Sequence, residues 1–194
     1  IEIRNDGRSF PSGRSYADEI QNFANWFTYY RKRHQAMRGG VAQAFSEITG
    51  IRAGSFLFNV RTNVDMNSLT TDSDVFLDEI FTARGAGGTP TRRVVDHMGQ
   101  QFERTDGSAP IIEACQKNFG IVLTDGFANT SGITVGNADA GQGAPYEDAF
   151  ANTIADAAMN YYDNLQAPPS FTNGLVPTPA ACAGTPNPLT NCNE

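Results

Sequence analysis

The run Phe119-Gly120-Ile121-Val122-Leu123, closed by Thr124-Asp125-Gly126, constrains this chain more than any other stretch. A short, nearly continuous apolar run bounded by turn residues suits a strand buried on both faces, as in a parallel sheet between helices. In open α/β sheets, ligands bind just beyond the carboxyl ends of the strands, which puts Asp125 where chemistry would be expected. Asp-Gly is also a good turn whose carboxylate caps the next segment, and position alone favours that plainer role.

Helical periodicity surrounds the run. Ser15, with Asp18 three residues on, has the spacing of an N-cap. Ile20, Phe23, Phe27, Tyr30, Met37, Val41, Phe45 and Ile48 then recur at close to helical spacing. That pattern predicts one long helix, with a bend or a close backbone contact at Gly39-Gly40. Ile51 to Val60 reads as a second strand, and the polar stretch up to Asp72 as loop. Phe76, Leu77, Ile80 and Phe81 mark one face of a helix over 73–83. Thr89 as N-cap and Pro90 at the first helical position start another, continued by Val94, Val95, Met98 and Phe102. The last helix is predicted over 146–166, with Phe150, Ile154, Ala158, Tyr161 and Leu165 on one side.

Helices alternating with strands predict an α/β layered domain over 1–166, and the Pro-rich 167–194 a linker or extended tail. The sheet is thin for so many helices. Either further strands lack a sequence signal or part of the sheet belongs to residues outside this chain. A chain that opens at Ile1, without Met or signal peptide, is expected to be a processed or excised piece of something longer.

Composition narrows the function. Of 194 residues, 14 are Lys or Arg and 21 Asp or Glu, giving a net charge of −7 with no basic block. Such a surface repels phosphates, so no nucleic-acid partner is expected. No apolar stretch approaches the roughly 20 residues of a membrane span. Scarce Lys with abundant Asn, Thr, Gly and Ser is common in secreted bacterial surface proteins. Cys182 and Cys192 lie in the Pro-rich tail at a spacing that a disulfide can close in an oxidising compartment. Cys115 is then left as a buried thiol or as half of a bond to another segment. His34 and His97 have no triad-like companions, and the Gly-rich loop before Thr89 lacks the Lys of a phosphate-binding loop, so no enzyme is expected. Arg31, Lys32 and Arg33 read as a solvated helix face.

Three blocks carry a resemblance: Gln21-Asn22-Phe23-Ala24-Asn25-Trp26-Phe27-Thr28-Tyr29-Tyr30-Arg31, Gly87-Gly88-Thr89-Pro90-Thr91-Arg92, and Cys115-Gln116-Lys117-Asn118-Phe119 through Thr124-Asp125-Gly126. Together they resemble the N-terminal von Willebrand factor A-like domain of the PilY-type type IV pilus tip adhesins. Ala155-Asp156-Ala157-Ala158-Met159-Asn160-Tyr161-Tyr162 is similar to a later helix of the same proteins. The blocks keep the family's order from about Tyr16 to Pro179, and the Asn-Phe-Ala-Asn-Trp block is the most specific. The resemblance implies a doubly wound, Rossmann-like sheet with helices on both faces. It also implies, for the full-length protein, an Mg²⁺ or Mn²⁺ adhesion site at the carboxyl ends of the strands, in which Thr89 and Asp125 match two of three elements; this chain alone is expected to bind such a metal weakly or not at all. The third, an Asp-x-Ser-x-Ser loop after the first strand, occurs nowhere in the chain and is expected upstream of Ile1, with the first strand. Asp65, Asp72 and Asp74 are further carboxylates within reach in principle, unmarked by their spacing. The implied role is an extracellular adhesion module at the pilus tip of a Gram-negative bacterium. Its implied partners are minor pilins, the rest of its own polypeptide and a host or abiotic surface. A structural assembly part that binds no ligand is the alternative.

Overall fold

The computed structural model describes residues 2–7, 9–113, 116–129, 132–145 and 147–164. Cys115, Cys182, Cys192 and the predicted tail lie outside the described residues. The chain divides into two compact units: residues up to Ile51 together with Leu69–Gly85, and Arg52–Ser68 together with the chain from Ala86 onward.

The first unit is helical: α1 (Tyr16–Tyr29), α2 (Arg33–Phe45) and α3 (Ser73–Thr82). Ser15 caps α1 as its spacing predicts, its hydroxyl accepting the Asp18 N–H at 3.2 Å. The long helix expected from the apolar periodicity is two helices, and the break falls at Tyr30–Lys32 rather than at Gly39-Gly40. Gln35 explains part of the restart, because its Oε1 accepts the Lys32 N–H at 3.2 Å and satisfies a donor at the new N-terminus. Arg31 at the break is exposed, as expected, but lies outside either helix with its guanidinium 4.1 Å from the Phe27 ring centre. Gly39 lies inside α2 and makes a close contact there, with Tyr30 in the space of its missing side chain; a β-carbon would stand 2.7 Å from Tyr30 Cε1. Phe45 and Phe76, with ring centres 5.2 Å apart, join α2 to α3. By contrast α1 buries no residue, and Phe23, Trp26 and Phe27 form a ring cluster left about half exposed.

The second unit contains α4 (Thr91–Phe102), α5 (Ile154–Asn164) and a two-residue antiparallel ladder, β1 (Arg52–Ala53) with β2 (Asn67–Ser68). Val94, Val95, Ala53, Val64, Ala109, Ile111 and Ala157 are its buried apolar residues. The strand expected over 51–60 is reduced to β1 and an isolated Leu57–Val60 bridge. The run 119–123, expected as a buried strand, pairs with no strand among the described residues, and Phe119 is 80% exposed. Its contact with the unit is at Gly120, where a β-carbon would meet Met98 Sδ at 2.4 Å. The last helix begins at Ile154 rather than 146, which leaves Phe150 exposed outside it.

Candidate functional site

Thr89 and Asp125 both fall in the loops of the second unit. The helix that Thr89 was expected to cap starts later than its sequence suggested: α4 begins at Thr91 with Pro90 in the cap position, so Thr89 stands one residue outside the cap. The Thr89 backbone makes the contacts. Its N–H donates to Asn129 Oδ1 at 2.7 Å, and its carbonyl accepts the Asn129 N–H at 3.2 Å and the Thr91 N–H at 3.0 Å. Asn129 therefore ties the end of the Asp125 loop to Thr89. Thr124 Oγ1 lies 3.3 Å from the Gly126 N–H, closing the turn in which Asp125 is exposed.

Asn59 holds the glycine-rich side of the same loop. Its Nδ2 donates to the carbonyls of Ala86 at 2.6 Å and Gly88 at 2.8 Å. Gly87 between them adopts φ +83°, and a β-carbon there would meet Asn59 Nδ2 at 2.9 Å, so only glycine fits. Thr91 is buried, and its Oγ1 has no hydrogen-bond partner among the described residues. Of the other carboxylates, Asp65 lies in the loop before β2, while Asp72 and Asp74 belong to the first unit at the start of α3.

A second cluster was missed from the sequence. Thr153 and Asp156 form a reciprocal cap at the start of α5: the Asp156 N–H donates to Thr153 Oγ1 at 3.0 Å, and the Thr153 N–H to Asp156 Oδ2 at 2.8 Å. Asp156 Oδ1 also accepts the Ala138 N–H at 2.7 Å. Asn152, at φ 61°, works beside it, its Oδ1 accepting the amides of Val135 at 2.9 Å and Gly136 at 3.0 Å. Loop 135–139 is thus wrapped on the N-terminus of α5 by two side chains. Burial would push the Asp156 carboxyl up, but the Thr153 amide and hydroxyl and the Ala138 and Asp139 amides together hold it below the usual carboxylate value. The Thr-x-x-Asp spacing at 153–156 was the legible signal for this cap.

His97 is engaged structurally. Its Nε2 lies 3.0 Å from the Thr62 carbonyl, its ring meets Phe56 edge-on at 4.9 Å, and Gln101 beside it accepts the buried Val64 N–H at 2.9 Å. On the facing side of α4, Tyr161 Oη donates to Asp96 Oδ1 at 2.9 Å. Burial, reinforced by that carboxylate, pushes the phenol up to about 12.

The chain is 27% identical over 198 residues to the type IV pilus biogenesis factor PilY1 of Pseudomonas aeruginosa strain PAK, an alignment covering 84% of this chain and 17% of that protein. Against PilY1 of strain PAO1 the identity is 25%, covering 82% of this chain and 17% of the relative. The similarity marks the chain as a homologue of these proteins, and it spans about a sixth of their length. Neither a family model nor a solved structure matches the chain.

Proposed function

We propose that this chain is an extracellular von Willebrand A-like binding module of a type IV pilus protein. Through the Thr89–Asp125 loops it contacts a surface or a partner at the pilus tip. The similarity to proteins named for pilus biogenesis supports the setting. The observation that carries the site is the pair of Thr89–Asn129 hydrogen bonds, which puts the Gly-Gly-Thr loop beside the loop that begins at Asp125. Support for the layered fold comes from residues 119–123. Phe119, Ile121 and Leu123 are exposed, while Gly120 packs on Met98 and Val122 is half-buried, the alternation of a strand with one face still to be covered.

Thr89 and Asp125 offer one hydroxyl and one carboxylate. Mg²⁺ and Mn²⁺ want a near-octahedral shell of oxygens, about six, so these two residues do not by themselves fit firm metal binding. Contact through this edge is therefore proposed without a step that depends on a metal. The half-exposed Phe23, Trp26 and Phe27 cluster favours a second role, as a structural part docked on minor pilins, since exposed aromatic patches mark protein contacts.

Deleting the segment 16–164 in a piliated bacterium that encodes it tests the proposal. Surface attachment should fall while pili are still assembled. Loss of pili would favour the assembly role, and unchanged pili with unchanged attachment would overturn both.

A further inference from the structure

Asp139 is 1% exposed, and neither of its carboxylate oxygens has a hydrogen-bond partner among the described residues. No described Lys, Arg or His forms an ion pair with it. Burying an unpaired carboxylate costs several kcal/mol even after relaxation. Its neighbour makes matters worse: the Asp139 N–H lies 3.5 Å from Asp156 Oδ1, so a second, fully buried carboxylate shares the corner.

The two acids are differently provided for. Asp156 accepts from the Thr153 amide and hydroxyl and from the Ala138 amide, which satisfies both its oxygens. Asp139 has no such donors among the described residues. A proton would remove its charge yet leave a buried O–H and a buried C=O both unpaired. A bound cation satisfies both oxygens and offsets both charges at once.

We propose that Asp139 is the principal ligand of a calcium ion held between loop 135–143 and the start of α5. Loop 135–139 is already pinned by Asn152 and Asp156, and backbone carbonyls of loop 135–143, each with two lone pairs, would complete the shell. Calcium accepts roughly six to eight such oxygens in irregular geometry, whereas Mg²⁺ demands an octahedron and retains waters. A carboxylate as deeply buried as Asp139 suits the first ion and not the second. The site is separate from Thr89 and Asp125 and does not rest on the pilus assignment.

The test uses the whole 194-residue chain, stripped with a chelator and then titrated with Ca²⁺ or Mg²⁺ by calorimetry, alongside thermal unfolding. One Ca²⁺ per chain is expected, raising the unfolding temperature, with a clearly smaller response to Mg²⁺. Asp139→Asn should weaken Ca²⁺ binding on the order of a hundredfold, because it removes ligand charge. In chelator that variant should melt above the wild type, having lost an unpaired buried charge; in Ca²⁺ the order should reverse. Asp78→Asn, which makes the same charge change on the exposed face of α3, should behave as wild type. Should Asp139→Asn fail to fold, the wild-type chain's melting in chelator, Ca²⁺ and Mg²⁺ decides. No Ca²⁺-dependent rise, an equal rise with Mg²⁺, or full Ca²⁺ binding by Asp139→Asn would overturn the proposal.

Discussion

Tyr161 fills the space that a side chain on Gly99 would need: a β-carbon at 99 would stand 2.1 Å from both Cγ and Cδ2 of the ring. This contact sets how closely α4 and α5 approach. Replacing Gly99 with Ala would gain up to about 1 kcal/mol of helix propensity. Overpacking typically costs about 1–3 kcal/mol, and here the ring is also held by Asp96. We expect Gly99→Ala to unfold at lower denaturant concentration than wild type; an unchanged or higher midpoint would mean the helices can move apart freely.

The same tyrosine should reveal itself by titration. Its phenol is pushed up to about 12 by burial and by Asp96, against an ordinary value of 10.0. The folded state holds this proton more tightly than the unfolded chain does. Its contribution is therefore complete below pH 10 and is lost as pH rises towards 12. Tyrosinate absorbance should show one late-titrating group, absent in Tyr161→Phe, and the wild-type chain should lose stability over that interval more steeply than the variant.

Asp156 works in the opposite pH range. Its folded pKa lies below the ordinary 3.8, so the stability it contributes is present above that value and is lost as pH falls through the lowered one. Asp156→Ala would leave the Ala138 and Thr153 amides without their acceptor, at a cost of about 1–3 kcal/mol each if they stay buried. Faster hydrogen exchange at residues 135–139 should accompany the loss. Wild-type exchange rates there in the variant would remove the cap from the explanation of this loop.

The helices were legible where local chemistry decides them. Ser15 with Asp18, the face made by Phe76 and Ile80, and Val94 with Val95 each needed only near neighbours in sequence. Residues 119–123 were not legible in the same way, because a strand requires a partner and a covering layer, and periodicity specifies neither. Thr89 illustrates a finer error: its type and its place before Pro90 suit a cap, but Pro90 itself takes the cap position and Thr89 pairs with Asn129, forty residues away. Asp139 was invisible for another reason. Nothing about an Asp in an Ala/Gly loop foretells burial.

The tail cysteines offer an independent check on compartment. Cys182 and Cys192 are expected to be joined in protein exposed to an oxidising environment. Mass spectrometry without reduction should find both Cys182 and Cys192 protected from alkylation. Three free thiols, or a bond from Cys115 into the tail, would contradict that pairing.

Attachment by bacteria carrying Thr89→Ala and Asp125→Ala together addresses the proposed contact edge most directly. Thr89 meets Asn129 through its backbone and Asp125 is exposed, so both substitutions leave the Thr89–Asn129 tie in place. Pili should be as numerous as in the parent strain, while cells retained on a surface under flow should fall severalfold. Undiminished attachment with both substitutions in place, at normal pilus number, would show that the Thr89–Asp125 loops are not the contact surface.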